Sequence, residues 1–323
     1  MADTVDIKTG YSCNNDCYHC VIADKRRDLL KENKEVDRNT PEVRQHIIEA
    51  SEQKANTIVL TGGEVTIRRD FFDLIELASS KGLNIIVQTN GRMFYYEEYA
   101  KRIASYKNVN ITIALHSPKP EVHDWITGSK NSFKQTTQGI KNLKKFDMGN
   151  RVGGKIVMSK KNYEDLPELI NLCANLGLES VNIAFPHAMG NARLNFHDCV
   201  PKYTDIESYV KETIEKSLKL GMHIDFEAIP LCFLSGYETF ASEFRMPEHT
   251  EMRDLTHIDK NYSKTRKTQA KVKGSQCKEC SLNLICEGCW DDYAEVYGTE
   301  EFKPIKGKLV RSLKELKEIR KKN

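Results

Sequence analysis

What most constrains the fold is an alternation that runs through the first 230 residues. A short β-branched run is followed, again and again, by a segment with helical apolar spacing. "TVDIKT" precedes a cysteine-rich loop and the helix "TPEVRQHIIEASEQKA". "NTIVLTGGE" leads into "DFFDLIELASSKG", "NIIVQTNG" into "EEYAKRIASY", and "VNITIALHS" into "SFKQTTQGIKNLKKF". "RVGGKIVMS", "LPELINLCANLG", "SVNIAFP", "TDIESYVKETIEKSLKLG" and "HIDFEAIP" complete seven strands before Pro230. The punctuation agrees, with Thr40 expected as N-cap ahead of Pro41 and Gly82 closing the next helix. The strands read as continuous apolar runs, the pattern of a parallel sheet covered on both faces. Serial βα units of this kind predict an α/β barrel or part of one, with a doubly wound open sheet as the rival. No stretch of eighteen apolar residues is present and "MADTVDIKTG" is not a signal peptide, so a cytoplasmic protein without a membrane contact is expected.

Such a compartment keeps thiols reduced, which makes ten cysteines poor candidates for disulfides and good ones for metal. Cys13, Cys17 and Cys20 fall within eight residues in "CNNDCYHC". Three thiolates satisfy three irons of a four-iron cubane and leave the fourth open to an outside ligand. Zinc with His19 as fourth ligand is the alternative, but His19 adjoins Cys20 and both can hardly reach one ion. The stretches just past the strand ends, "CNNDCYHC", "TGGE", "QTNG", "HSPKPEVHD", "MSKKN" and "FPHAMGNAR", fall on one predicted face, where a barrel places its chemistry.

On these residues the chain resembles the radical S-adenosylmethionine (SAM) superfamily. Its Cys-x3-Cys-x-aromatic-Cys signature corresponds to Cys13, Cys17, His19 and Cys20, and its Gly-Gly-Glu signature to Gly62, Gly63 and Glu64, 42 residues further on. The resemblance covers about residues 5 to 230 and implies a partial (β/α)6 TIM-type barrel. It also implies a [4Fe–4S] cluster that binds SAM through its open iron and cleaves it to a 5′-deoxyadenosyl radical, which takes hydrogen from substrate. A one-electron donor such as flavodoxin or ferredoxin is implied as partner. Carried over residue by residue, Gly62 and Gly63 let the backbone approach SAM and Glu64 accepts from its ammonium. Asn90 contacts the ribose or methionine part. The serine that many relatives carry late in the fourth strand is Ala114 here, which passes that contact to His116 or Ser117. Lys155 is assigned to the SAM carboxylate, or is a snorkelling strand-end lysine. Phe185, with Pro186, packs on adenine or fills the barrel top. His116 and His123 are the candidates for catalytic proton transfer, with His187 and His197 also on active-face loops.

The C-terminal quarter holds Cys277, Cys280, Cys286 and Cys289. The five-residue gap between the two Cys-x2-Cys pairs is short for a zinc ribbon. The array is similar to the SPASM and twitch extensions of radical SAM enzymes, where Cys-x2-Cys-x5-Cys is joined by a remote upstream cysteine. That similarity assigns Cys232, Cys277, Cys280 and Cys286 to one auxiliary [4Fe–4S] cluster, with Cys289 as alternative ligand. Cys173 reads as core, and Cys199 has no ligand-like partner nearby. Residues 242–274 read as a long loop covering the active face. The resulting division is a barrel over 1–230, an auxiliary-cluster domain over 231–302 and a basic amphipathic helix over 303–323.

That last segment carries nine Lys or Arg against two Glu, so the net charge of +3 conceals about −4 on the rest. Leu309, Leu313, Leu316 and Ile319 form one helical face, which favours docking over nucleic-acid binding. The expected activity is therefore hydrogen abstraction from a peptide or protein, in peptide modification or cofactor maturation. Oxidation or carbon-bond formation on a sugar, nucleotide or amino acid is the alternative. A non-catalytic cluster module on nucleic acid is more remote, because "TGGE" has no use there. The position of Cys13 leaves no room for a leader-recognition domain ahead of the barrel, so a separate recognition protein or direct capture by the acidic body is expected.

Overall fold

A computed structural model describes residues 2–320. In chain order, β1 (Thr4–Lys8) is followed by α1 (Ala23–Lys31), α2 (Thr40–Glu52), β2 (Thr57–Thr61), α3 (Phe71–Ser80), β3 (Asn84–Thr89) and α4 (Glu97–Ala104). Then come β4 (Val109–Ala114), α5 (Pro120–Thr127), α6 (Ser132–Lys145), β5 (Val152–Val157), α7 (Leu166–Asn175), β6 (Ser180–Ala184), α8 (Asn191–Leu194), α9 (Phe196–Cys199), α10 (Tyr203–Lys219) and β7 (His223–Glu227). The extension adds β8 (Thr250–Arg253), β9 (Ile258–Asp259), α11 (Tyr262–Thr268), β10 (Lys271–Val272), β11 (Cys289–Trp290), α12 (Asp291–Tyr297) and α13 (Leu313–Arg320).

Strands β1 to β7 lie side by side in sequence order and all pair in parallel. A doubly wound sheet would reverse its strand order at a switch point; the unbroken order is that of a partial barrel. Burial runs unbroken from Ile58 to Thr61 in β2 but alternates in strands such as β1 and β5. The apolar members, such as Val5, Ile7, Ile156 and Ile183, form the core with the helices. The others carry polar groups, Lys155, Asn182, Asp225 and Glu227, which bond to one another. A barrel open at one side lets water reach its inner face, and polar side chains can stand there.

Two caps sit one residue from their expected places. Asn39, not Thr40, caps α2, in a capping box closed by Glu42. Lys81 caps α3, and Gly82 follows it with φ +73°. Residues 242–274 are not a loop. Strand β8 pairs in parallel with the outer edge of β1, from Thr4↔Thr250 to Ile7↔Arg253, and β9 turns back upon it. Charge concealed this strand: "TEMR" buries Glu251 and Arg253, the latter 1% exposed, by pairing Arg253 with Glu251 at 2.6 Å and with Glu49 at 2.7 Å. At the C-terminus Leu316 is buried, Leu313 and Ile319 are half-buried, and Arg320 pairs with the buried Glu238. Leu309 is exposed and precedes α13; Lys321 and Lys322 of the basic tail lie outside the described residues.

Candidate active site

The cysteine loop leaves the C-terminal end of β1 and is held by its neighbours on several sides. The "TGGE" turn continues the β1–β2 pairing past the strands, with Gly63 N donating to Gly10 O and Glu64 N to Ser12 O, both at 2.8 Å. A Cβ on Gly63 would stand 2.1 Å from Ser12 O, and one on Gly62, whose φ is +127°, 2.2 Å from Gly10 O. The two glycines are thus required by the backbone that enters the cysteine loop. On the far side, Asp16 N and Tyr18 N donate to Thr127 O and Ile126 O at the end of α5, and Asn191 N donates to Cys20 O. Asn191 Nδ2 donates to Cys17 O at 2.8 Å and Asn195 Nδ2 to Tyr18 O. Arg92 reaches in from the β3 loop to Asn15 Oδ1 at 2.7 Å and to Asn14 O. Arg92, Asn191 and Asn195 carry no signal in a single sequence; they belong to this site through topology alone.

Cys13, Cys17 and Cys20 are each half-buried and free of disulfides. Burial raises all three thiols, Cys13 to about 11, and the neighbouring thiols raise Cys13 and Cys17 further. Deprotonating such a set requires a positive centre, which is what iron supplies. His19 does not complete a tetrad with them. Its ring packs edge-on against His116 at 4.8 Å, and His116 stacks on His123 at 5.8 Å. His116 Nδ1 accepts from Val157 N at 3.3 Å and His123 Nδ1 accepts from His116 N at 3.1 Å. Burial lowers His116 well below its usual range and both His19 and His123 to about 4, so the stack is neutral at physiological pH. Ser117, fully buried, accepts from Lys119 N at 3.0 Å.

The Glu64 carboxylate is enclosed by donors. Oε1 accepts from Thr66 N (3.0 Å), Thr66 Oγ1 (2.5 Å) and Thr89 Oγ1 (2.7 Å), and Oε2 accepts from Asn90 N at 2.7 Å. Asn90 in turn donates to Asn14 Oδ1 at 2.6 Å. Glu64 therefore clamps the β2, β3 and cysteine-loop ends together, and any bond to a SAM ammonium adds to that role.

Lys155 pairs with Glu227 at 2.7 Å and bonds Asn182. Glu227 also lies 3.6 Å from Arg266, which meets Glu243 and Glu287, as does Lys271. Burial alone would raise Glu227, but Lys155 and Arg266 outweigh it and hold the carboxyl at about 2. Phe185 is 2% exposed and stacks on Tyr203 at 4.3 Å, with Tyr293 edge-on. It packs among the aromatic rings at the barrel top. Just beyond β7, Cys232, Cys277, Cys280 and Cys286 line one small pocket, partly open to solvent. Backbone amides of Leu231 and Gly288 donate to Cys286 Sγ, and that of Ile305 to Cys280 Sγ, at 3.4–3.5 Å. Cys289 is fully buried in β11 and absent from that wall, while Cys173 and Cys199 are core.

A family profile described as the radical SAM superfamily matches residues 7–173, which include both signatures. The chain belongs to the radical SAM superfamily. It is 27% identical over 167 residues to mycofactocin maturase of Mycolicibacterium smegmatis, covering 52% of this chain and 40% of that one. It is 27% identical over 212 residues to a probable GTP 3′,8-cyclase of Saccharolobus islandicus, 64% of each. The chain thus spans less than two thirds of the length of either relative. Its fold is that of Streptococcus suis SuiB bound to the precursor peptide SuiA, with TM-score 0.65 and 15% identity over 94% of this chain and 75% of that one. That coverage takes in the extension as well as the barrel.

As a radical SAM enzyme the chain uses a [4Fe–4S] cluster with SAM; the C-terminal cysteines are a candidate second set. The donor sets agree with that chemistry. One is a three-sulfur set with no fourth sulfur in its loop; the other is a four-sulfur set. In each set backbone amides donate to sulfur, at Cys13 in the first and at Cys280 and Cys286 in the second, as they do at cluster sulfurs. No helix among the described residues is long and apolar enough to cross a membrane.

Proposed function

We propose that this radical SAM enzyme acts on a peptide or protein segment seated between the mouth of the barrel and the auxiliary-cluster domain. Cys13, Cys17 and Cys20 would hold the SAM-binding cluster, and Cys232, Cys277, Cys280 and Cys286 the auxiliary one. When bound, the cluster and SAM together supply a strong hydrogen-abstracting agent. The protein's share is position and dryness. Asn191, Asn195 and Arg92 fix the cysteine loop, and Glu64 and Asn90 fix the strand ends beside it. Lys155, paired with Glu227, is the cation that a SAM carboxylate would have to share. The buried stack of His19, His116 and His123 forms the floor beside the cysteine loop, and His19 Nδ1 and His123 Nε2 are left there without hydrogen-bond partners.

The observation that carries the peptide reading is the charge balance at the mouth. Lys155, Arg266 and Lys271 face Glu227, Glu243 and Glu287, three cations against three carboxylates. A nucleoside triphosphate needs uncompensated positive charge, and this network offers none among the described residues. A polypeptide needs hydrogen-bonding groups of both signs, which it has. The shared fold with a protein that holds a precursor peptide supports the same reading. A nucleotide substrate, as the name of the cyclase relative suggests, is the second reading.

The test is anaerobic turnover of the reconstituted enzyme with deuterated candidates, following deuterium into 5′-deoxyadenosine. Peptides encoded beside the gene are expected to deliver it. Deuterium from GTP or a free sugar, and never from a peptide, would overturn the proposal.

A further inference from the structure

A second set of chemically capable side chains stands apart from the two cysteine sites. His187 lies on the loop after β6, and Asp291 and Asp292 begin α12 of the extension. One ligand atom from each of the three falls within 4.8 Å of the others. The His187 ring is stacked on Trp290 at 4.1 Å with 10° between the planes, and its Nε2 lies 3.2 Å from Asp292 Oδ2. The Asp292 side chain is 10% exposed, and neither of its oxygens completes a hydrogen bond of good geometry, though His187 Nε2 stands within reach. A carboxylate buried with so little hydrogen bonding is costly, and it is relieved by taking a proton or by meeting a cation.

The cations nearby are already engaged. Arg266 and Lys271, 5.0 and 4.9 Å from the Trp290 ring, are matched by Glu227, Glu243 and Glu287, and Arg193 pairs with Glu295 at 3.0 Å. Two carboxylates therefore remain uncompensated beside a neutral imidazole. We propose that His187, Asp291 and Asp292 form a divalent-cation site at the seam between barrel and extension. An imidazole with two carboxylates suits a borderline ion of the Mn²⁺, Fe²⁺ or Zn²⁺ class. Three protein ligands leave coordination positions for water or a substrate oxygen, and His187 and Asp291 are partly exposed, which gives an entry path. Stacking on Trp290 fixes the plane of the imidazole, the role that an outer partner plays at a metal-binding histidine. The site does not depend on which substrate the barrel accepts.

Manganese is the probe, because it is not a cluster component. The anaerobically reconstituted holoenzyme is titrated with Mn²⁺, and the free ion is counted by electron paramagnetic resonance. One equivalent should bind to the wild type. Asp292→Asn and His187→Gln should each weaken it more than about tenfold, since even outer-shell partners of metal sites are worth 10–100-fold. Both variants should retain the visible absorption of the clusters, and Glu295→Gln, an exposed acid nearby, should bind as the wild type does. Should Asp292→Asn fail to fold, Asp291→Asn and His187→Gln carry the comparison. Binding by the wild type no stronger than by His187→Gln, or retention of the full equivalent by Asp292→Asn, would overturn the proposal.

Discussion

Replacing Glu64 by glutamine separates two roles for this residue, a ligand of SAM and a clamp on the barrel mouth. The substitution conserves shape and removes charge. Glutamine must turn its amide nitrogen toward one of the two oxygen positions. If nitrogen takes the Oε2 place, it faces Asn90 N–H and leaves two buried donors opposed. If it takes the Oε1 place, the hydroxyls of Thr66 and Thr89 can rotate to accept from it, and only Thr66 N–H is orphaned. The second arrangement is cheaper. One unsatisfied buried N–H costs about 1–3 kcal/mol, and weakening charge-assisted bonds adds to it, so about 3 kcal/mol is expected. In a chain of this length that lowers Tm by roughly 6 °C, at about 2 °C per kcal/mol. The assay is paired: thermal unfolding followed by circular dichroism, and SAM binding by calorimetry, both on anaerobic holoenzyme. An unchanged Tm with SAM affinity reduced more than about tenfold would refute the clamp and return Glu64 to the ammonium alone.

Gly63→Val should prevent assembly of the SAM-binding cluster, not merely weaken SAM, because its side chain runs into the backbone at Tyr11 and Ser12; iron and sulfide analysis would show the auxiliary cluster alone. Cys232→Ala should lose the auxiliary cluster while Cys289→Ala keeps it, and Mössbauer spectra showing the reverse would exchange their roles. Ala in place of Cys13, Cys17 and Cys20 together should abolish 5′-deoxyadenosine formation yet leave the auxiliary spectrum. Glu227, held at about 2 against an ordinary value of 4.5, adds stability that is full above the ordinary value and is lost as pH falls through the folded one. Urea midpoints at pH 7 and at about pH 3, inside that window, should therefore differ less in Glu227→Gln than in the wild type; equal pH dependence in both proteins would deny the pairing.

The barrel was legible because its signal is periodic and local: each β-branched run and each helical face announces itself within a dozen residues. The two cysteine sets were legible as spacing. Less visible was anything fixed by a distant partner. Arg253 reads as a surface charge until Glu251 and Glu49 are seen around it. Phe185 reads equally as a ligand platform or as core until Tyr203 is found stacked on it. Cys289 has the spacing of a ligand, yet pairing with Val272 in β11 directs it into the core. Gly62 and Gly63 were recognised as close-approach positions, but the backbone they approach lies some fifty residues earlier in the chain.

Strand β8 gives this protein an order of assembly. The cysteine loop hangs from β1, whose inner edge is covered by residues 57–61 and whose outer edge waits for residues 250–253. During synthesis Cys13, Cys17 and Cys20 precede by some 230 residues the segment that covers the bare side of the strand they hang from. Pairing across so long a separation is slow, because the loop must close before the contact rewards it. The edge that carries the first cysteine set is thus closed by a segment lying between Cys232 and Cys277, so the two cysteine sets share one piece of structure.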